Sequence, residues 1–177
     1  VSCGAKHSLF NIAQILWEEG DEIIVPAPYW VSYPDIIRYA GAKPVIIDTL
    51  SANEFKITPD QISSAMTANT RAIIINSPSN PTGSAYSKKE LEGIAECALS
   101  NKLLIVSDEI YEKIIFDGFE QHSICSIGKE VQNNSILING VSKSYAMTGW
   151  RIGYLAANEA IVKQAGKLQG QSTSNPT

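Results

Sequence analysis

Three features of this 177-residue sequence predict an α/β domain, with a mostly parallel sheet flanked by helices in three layers. Short runs rich in Ile and Val recur along the chain. They lack polar alternation, as expected of strands covered on both faces. Helical patterns separate them, and the alternation of the two periods is how a layered α/β fold is written.

Taken in order, Leu9, Ile12, Ala13 and Leu16 fall at i, i+3, i+4 and i+7 and mark a first helix expected to end near Gly20. Residues 22–25 form the first strand, 31–40 a second helix, and 44–48 the next strand. Thr58-Pro59-Asp60-Gln61 combines an N-cap threonine, a first-turn proline and a capping-box glutamine ahead of Ile62 and Ala65. The run 72–75 is a strand. Ser87-Lys88-Lys89-Glu90 is a second capping box, and Leu91, Ile94, Ala95 and Ala98 share one face of the helix it opens. Strands are then read at 103–107, 135–138 and 151–156, with a last helix following Asn158.

Composition narrows the function classes. A hydrophobic fraction of 44% with 18% charged residues excludes disorder, and 12 Gly and 8 Pro in no period exclude a collagen-like chain. The net charge of −4 argues against a nucleic-acid or anionic-membrane surface. No apolar run of about 18 residues and no secretory leader is legible. Cys3, Cys97 and Cys125 match no metal or redox spacing and read as reduced thiols, which makes a cytoplasmic setting the expectation. His7 and His122 are too scattered for a zinc site, so no metal is expected. The absence of an initial Met and the abrupt end at Thr177 suggest a piece of a longer chain.

In doubly wound sheets, ligands bind beyond the carboxyl ends of the strands. Asp108, Asn80 and Lys143 each follow a different apolar run, so an acid, an amide and an amine are expected at one rim. Lys143 lies in a small-residue loop where partial burial would lower its pKa toward nucleophilic use; a loop lysine by itself is more often a solvated charge. Of the three arginines, Arg38 and Arg71 read as structural, and the Gly-flanked Arg151 is the candidate anion clamp. Gly4-Ala5-Lys6 opens a helix whose backbone N–H groups suit a phosphate, although a plain helix start looks the same. The two prolines and the glycine around Asn80 fix its loop. Asp108 is either a helix cap or an active-site acid, with Tyr111 three residues on, and Trp30 is either a core aromatic or a stacking plate. A lysine, an anion clamp, an acid, an aromatic plate and amide and phenol donors together describe a site for pyridoxal 5'-phosphate.

The motifs Gly4-Ala5-Lys6, Pro28-Tyr29-Trp30, Asn80-Pro81-Thr82-Gly83, Asp108-Glu109-Ile110-Tyr111, Ser142-Lys143 and Gly149-Trp150-Arg151-Ile152-Gly153 resemble, as a set, the class I pyridoxal-phosphate aminotransferases of the bacterial aspartate aminotransferase branch. The resemblance implies that residues 1–177 are the cofactor-binding large domain, with an N-terminal arm and a C-terminal small domain lying outside. It implies ping-pong transamination between an amino acid, aspartate first, and a 2-oxo acid. Lys143 would form the Schiff base and shuttle the proton, and Asp108 would pair with the pyridine nitrogen. Tyr111 and Asn80 would hydrogen-bond the ring oxygen, while Trp30 would stack on the ring. Arg151, Ser142 and the Gly4, Ala5 and Lys6 segment would hold the phosphate. Lys6, Trp30 and Asn80 would also face the substrate. Cis peptide bonds at Ala27–Pro28 and Asn80–Pro81 are implied, as is a homodimer in the full-length protein.

The family's α-carboxylate arginine comes from the small domain, so the chain alone is expected to turn over poorly. Prephenate as acceptor, a fold-sharing enzyme such as a carbon–sulfur lyase, and a cofactor-binding piece inactive in isolation remain alternatives. A nucleotide-binding domain is disfavoured, because no Gly-x-Gly-x-x-Gly follows the first strand.

Overall fold

The structure is a computed structural model and describes residues 1–176. Its helices are α1 (Ala5–Leu16), α2 (Ser32–Tyr39), α3 (Pro59–Ala65), α4 (Lys88–Ser100), α5 (Lys129–Asn133) and α6 (Glu159–Gly170). Its strands are β1 (Ser2–Cys3), β2 (Glu22–Ala27), β3 (Lys43–Asp48), β4 (Thr70–Asn76), β5 (Leu104–Asp108), β6 (Ser135–Gly140) and β7 (Ile152–Ala156). They form one seven-stranded sheet in the order β1-β7-β6-β5-β4-β2-β3. Strands β2 to β6 run parallel, whereas β7 is antiparallel to β6 and β1 is antiparallel to β7.

The side-chain period of two sorts the central strands onto two faces. Ala72, Ile74, Val106, Ile136 and Ile138 pack with Leu9, Ile12 and Ala13 of α1 and with Tyr33 and Ile37 of α2. Ile73, Ile75 and Ile105 pack on the opposite face with Ile62 of α3, Leu91, Ile94 and Ala98 of α4, and Val131 of α5. Two apolar layers therefore sandwich the sheet, which is the three-layer α/β fold expected. Both capping boxes form: Thr58 accepts from the Gln61 backbone and Ser87 from that of Glu90. Arg38 pairs with Asp35 and Arg71 with Asp21, in keeping with structural roles.

Several boundaries differ from the sequence reading. Helix α1 stops at Leu16 rather than near Gly20, because Trp17 turns extended (φ −118°, ψ 143°) and buries its indole in the core. Strand β7 starts at Ile152; Arg151 has φ 51° and ends a 3-10 turn, so its side chain is freed from the sheet's alternation. Strand β1 and helix α5 were unforeseen, being two and five residues long. The peptide bonds at Ala27–Pro28 and Asn80–Pro81 are cis, and Ser77–Pro78 is cis as well.

Candidate active site

Topology alone brings the candidate residues together. Strands β4, β5 and β6 are parallel neighbours, so their carboxyl ends place the Asn80 loop, Asp108 and the Lys143 loop side by side. Strand β7 runs the other way, so its start, next to Arg151, lies at the same rim. Pairing of Cys3 with Ile152 brings the end of β1, and with it Gly4 and the first turn of α1, to that rim too. A cavity of about 230 Å³ results, lined among others by Ala5, Lys6, Trp30, Asn80, Asp108 and Tyr111, and by Ser142, Lys143 and Arg151. Every side chain proposed from the sequence faces it, and Gly4 borders it from behind Arg151.

Asp108 is the acid at its floor. Val106 points into the α1/α2 layer, and Asp108, two residues on, points the same way, so the carboxylate is buried at 3% exposure. Oδ2 accepts from the Tyr33 hydroxyl at 2.7 Å and Oδ1 from the Ile110 N–H at 3.2 Å. Burial pushes the carboxyl up to about 6, and the two donors only partly oppose it. Tyr33 is itself pushed well above 10 by burial and by the neighbouring Asp108, so it remains a donor at any physiological pH.

The amide loop is held from β4. Asn76 donates to the Asp108 carbonyl at 2.9 Å and accepts from the Asn80 N–H at 2.7 Å. The Asn80 amide then donates to the Tyr111 hydroxyl at 3.5 Å, a long contact that leaves both groups available to a ligand. Lys143 Nζ lies 5.6 Å from the Tyr111 ring centre. The burial expected for Lys143 is not found: it is exposed, because its loop stands on the open rim beside exposed Tyr145 and Trp150. Ser142, one residue earlier, is buried.

The anion side is built from backbone. Gly4 has φ +82°, and a Cβ there would overlap the Arg151 guanidinium, so the arginine packs directly against the glycine. Arg151 Nη1 also donates to the Thr148 carbonyl at 2.8 Å. Among the described residues no side chain caps α1, so the N–H groups of Ala5 and Lys6 point out of the helix start beside a guanidinium. Trp30 stands over the cavity edge-on to Tyr33, with ring centres 5.4 Å apart, and Lys6 Nζ sits 4.8 Å from its ring.

Tyr33 and Asn76 were missed from the sequence. Tyr33 reads as one apolar position of α2, and its partner Asp108 is remote in the chain. Its only sequence signal is its position one helical turn beyond Trp30.

Comparison with known proteins places the whole chain in one family. Residues 1–177 match the family described as aminotransferase class I and II. The chain is 54% identical over 177 residues to an aspartate aminotransferase of Bacillus sp. (strain YM-2), covering 100% of this chain and 45% of that protein. It is 48% identical over 179 residues to an aspartate/prephenate aminotransferase of Nitrosomonas europaea, covering 99% and 45%. Among solved structures, the aspartate aminotransferase of Thermus thermophilus with maleate superposes with a TM-score of 0.94 at 40% identity, over 99% of this chain and 45% of that one. The chain thus spans less than half the length of each. With the family match running over residues 1–177 and the fold superposing over 99% of the chain, the chain belongs to the class I and II aminotransferases.

Proposed function

We propose that this chain is the cofactor-binding part of a pyridoxal-phosphate aminotransferase that moves an amine between aspartate and a 2-oxo acid. The observation that carries this reading is the convergence of a buried acid, a rim amine and a backbone anion cradle on one cavity. The residues fit the cofactor on their own chemistry. Gly4 leaves room for Arg151 where any side chain would displace it, and Asp108 is a buried carboxylate whose two donors leave lone pairs toward the cavity.

Arg151, Ser142 and the Ala5 and Lys6 N–H groups would hold the phosphate, Trp30 would cover the ring, and Asn80 and Tyr111 would donate to the ring oxygen. When bound, the cofactor supplies an electron sink for charge developing at the amino acid's α-carbon. Lys143 would be the covalent anchor and the base that takes the α-proton, and its place on the open rim would keep it within reach of an entering amino acid. Asp108 would hold a proton at the pyridine nitrogen; a fixed buried anion there would stabilise positive charge on the ring without reorganisation. Tyr33 fixes the orientation of that anion. Lys6 Nζ offers a cation for a distal carboxylate.

Prephenate is a second acceptor to be tested, favoured by the Nitrosomonas relative's name. We further propose that the full-length protein works as a homodimer, with the remaining substrate contacts supplied outside these residues.

The test is borohydride reduction of the full-length protein loaded with pyridoxal phosphate, followed by peptide mapping and by assays with aspartate, prephenate and cystathionine. A reduced adduct on Lys143, lost in Lys143→Ala, together with amine transfer from aspartate is the expected result. No adduct, an adduct elsewhere, or turnover of cystathionine alone would overturn the reading.

A further inference from the structure

Between β5 and the 3-10 turn at Ile124–Ser126, residues 109–123 contain no helix or strand. Excursions of this length inside a compact domain need specific anchoring or become mobile. The middle of this one is exposed, with Ile114, Phe116 and Phe119 all showing apolar surface. Its two ends are nevertheless joined by one atom. Glu109 is 3% exposed, and its Oε1 accepts from Ser107 Oγ at 2.9 Å on the strand before the excursion and from Ser123 Oγ at 2.7 Å at its far end.

A second tie runs alongside. Gln121 Nε2 donates to the Ser77 carbonyl at 3.1 Å, and the Ser77 N–H donates to the Asp108 carbonyl at 3.2 Å. The returning end of the excursion is therefore fastened both to the strand that carries Asp108 and to the loop that carries Asn80. Tyr111 lies two residues beyond Glu109, in a turn closed by the Glu112 N–H on the Glu109 carbonyl at 2.9 Å.

We propose that Glu109 is a positioning residue whose buried carboxylate staples the two ends of the 109–123 excursion and thereby sets the Tyr111 hydroxyl opposite Asn80. This rests on the reading of the cavity as a pyridoxal-phosphate site in which Tyr111 donates to the ring oxygen. Burial pushes the Glu109 carboxyl up while the Ser123 and Ser107 hydroxyls oppose that shift, and hydroxyls donating to the ionised form hold more strongly than hydroxyls donating to a neutral acceptor. Neither apolar layer of the sheet includes a described residue of the excursion, so little else offsets losing them.

The test uses full-length protein in two states. In protein stripped of cofactor, Ser123→Ala should speed amide exchange across 110–122 by roughly tenfold or more, since it removes the bond to the charged acceptor together with the cap that Ser123 Oγ gives the Cys125 N–H at 3.2 Å. In loaded protein the same variant should raise the pH midpoint of the cofactor's visible absorption band, since a displaced Tyr111 stabilises the ring oxygen anion less. Glu109→Gln, which keeps an acceptor oxygen, should fall between wild type and Glu109→Ala in both measurements.

Ser126→Ala is the control. It removes a hydroxyl that bonds the Ser123 carbonyl at 2.7 Å and does not touch Glu109, so both readouts should stay at wild type. If Glu109→Ala fails to fold, Ser123→Ala decides. Unchanged exchange, faster exchange with an unmoved midpoint, or equal effects in Ser126→Ala would each overturn the proposal. If wild type takes up no cofactor, the functional reading fails instead, and the exchange experiment still decides whether the staple exists.

Discussion

Asp108→Asn should make the protein stripped of cofactor more stable while nearly silencing the enzyme. The carboxyl titrates at about 6 in the fold against an ordinary 3.8, with burial as the main cause. Because the folded value is the higher, ionising Asp108 destabilises the fold. The cost is absent below pH 3.8, grows between the two values, and is complete above pH 6. A difference of about two pH units corresponds to about 3 kcal/mol at pH 8. An asparagine escapes that cost and still accepts from Tyr33, but its NH₂ group cannot accept from the Ile110 N–H, a loss of about 1 kcal/mol.

The variant should therefore gain about 2 kcal/mol at pH 8, shrinking to about 0.5 kcal/mol at pH 5, where the wild-type carboxyl is mostly protonated. Urea unfolding of stripped wild-type and variant full-length protein from pH 5 to 8 measures this directly. Transamination in the loaded variant should fall at least about a hundredfold, since an amide cannot hold the ring nitrogen protonated. A variant less stable than wild type at pH 8, or a stability gap that does not widen from pH 5 to 8, would refute the electrostatic argument. Undiminished turnover would refute the catalytic role.

Two further changes probe other parts of the molecule. Gly4→Ala forces a side chain into a φ of +82° and against the Arg151 guanidinium, so pyridoxal-phosphate affinity should fall at least about tenfold on titration, with a stability loss of about 1 kcal/mol. Lys56→Met removes an ammonium, 10% exposed, that pairs with Glu54 at 2.5 Å and Glu90 at 2.8 Å. Unfolding should show a loss of about 2 kcal/mol at pH 7, discounted for the exposure of both carboxylates. Burial pushes the Glu90 carboxyl up, but hydrogen bonds from Lys56 and Ser87 together hold it below 4.5, so this contribution should fade as the pH drops below 4.5 through the folded value.

Strands β2, β4, β5 and β6 were legible because a central parallel strand must be apolar on both faces, and the Ile and Val runs record that directly. The capped starts of α3 and α4 were legible because capping is local chemistry between residues three apart. Asp108, Asn80 and Lys143 were recognisable as rim residues because each follows such a strand. What could not be read depends on contacts between distant segments. Strand β1 exists only through its pairing with β7. The hydrogen bond from Tyr33 to Asp108 joins a helix to a strand end that the chain reaches only after three further strands. The exposure of Lys143 follows from the openness of the rim, which no local spacing encodes.

Because, among the described residues, β1 pairs only with β7, Gly4 and Arg151 meet only after the last strand has entered the sheet. Close packing at that junction is strict: a Cβ on Gly153 would collide with the backbone of Gly4 and Ala5. The acid, the amide and the amine can all be in place on β4, β5 and β6 while the anion cradle is still open. The tightest grip on a phosphate thus arrives with the strand pairing that is longest in sequence separation, the kind that is slowest to find. A ligand that needs that grip binds the finished sheet and not its precursors, and by mass action it draws the chain toward completion. For this fold, loading with cofactor would serve as a checkpoint of assembly as well as a condition for chemistry.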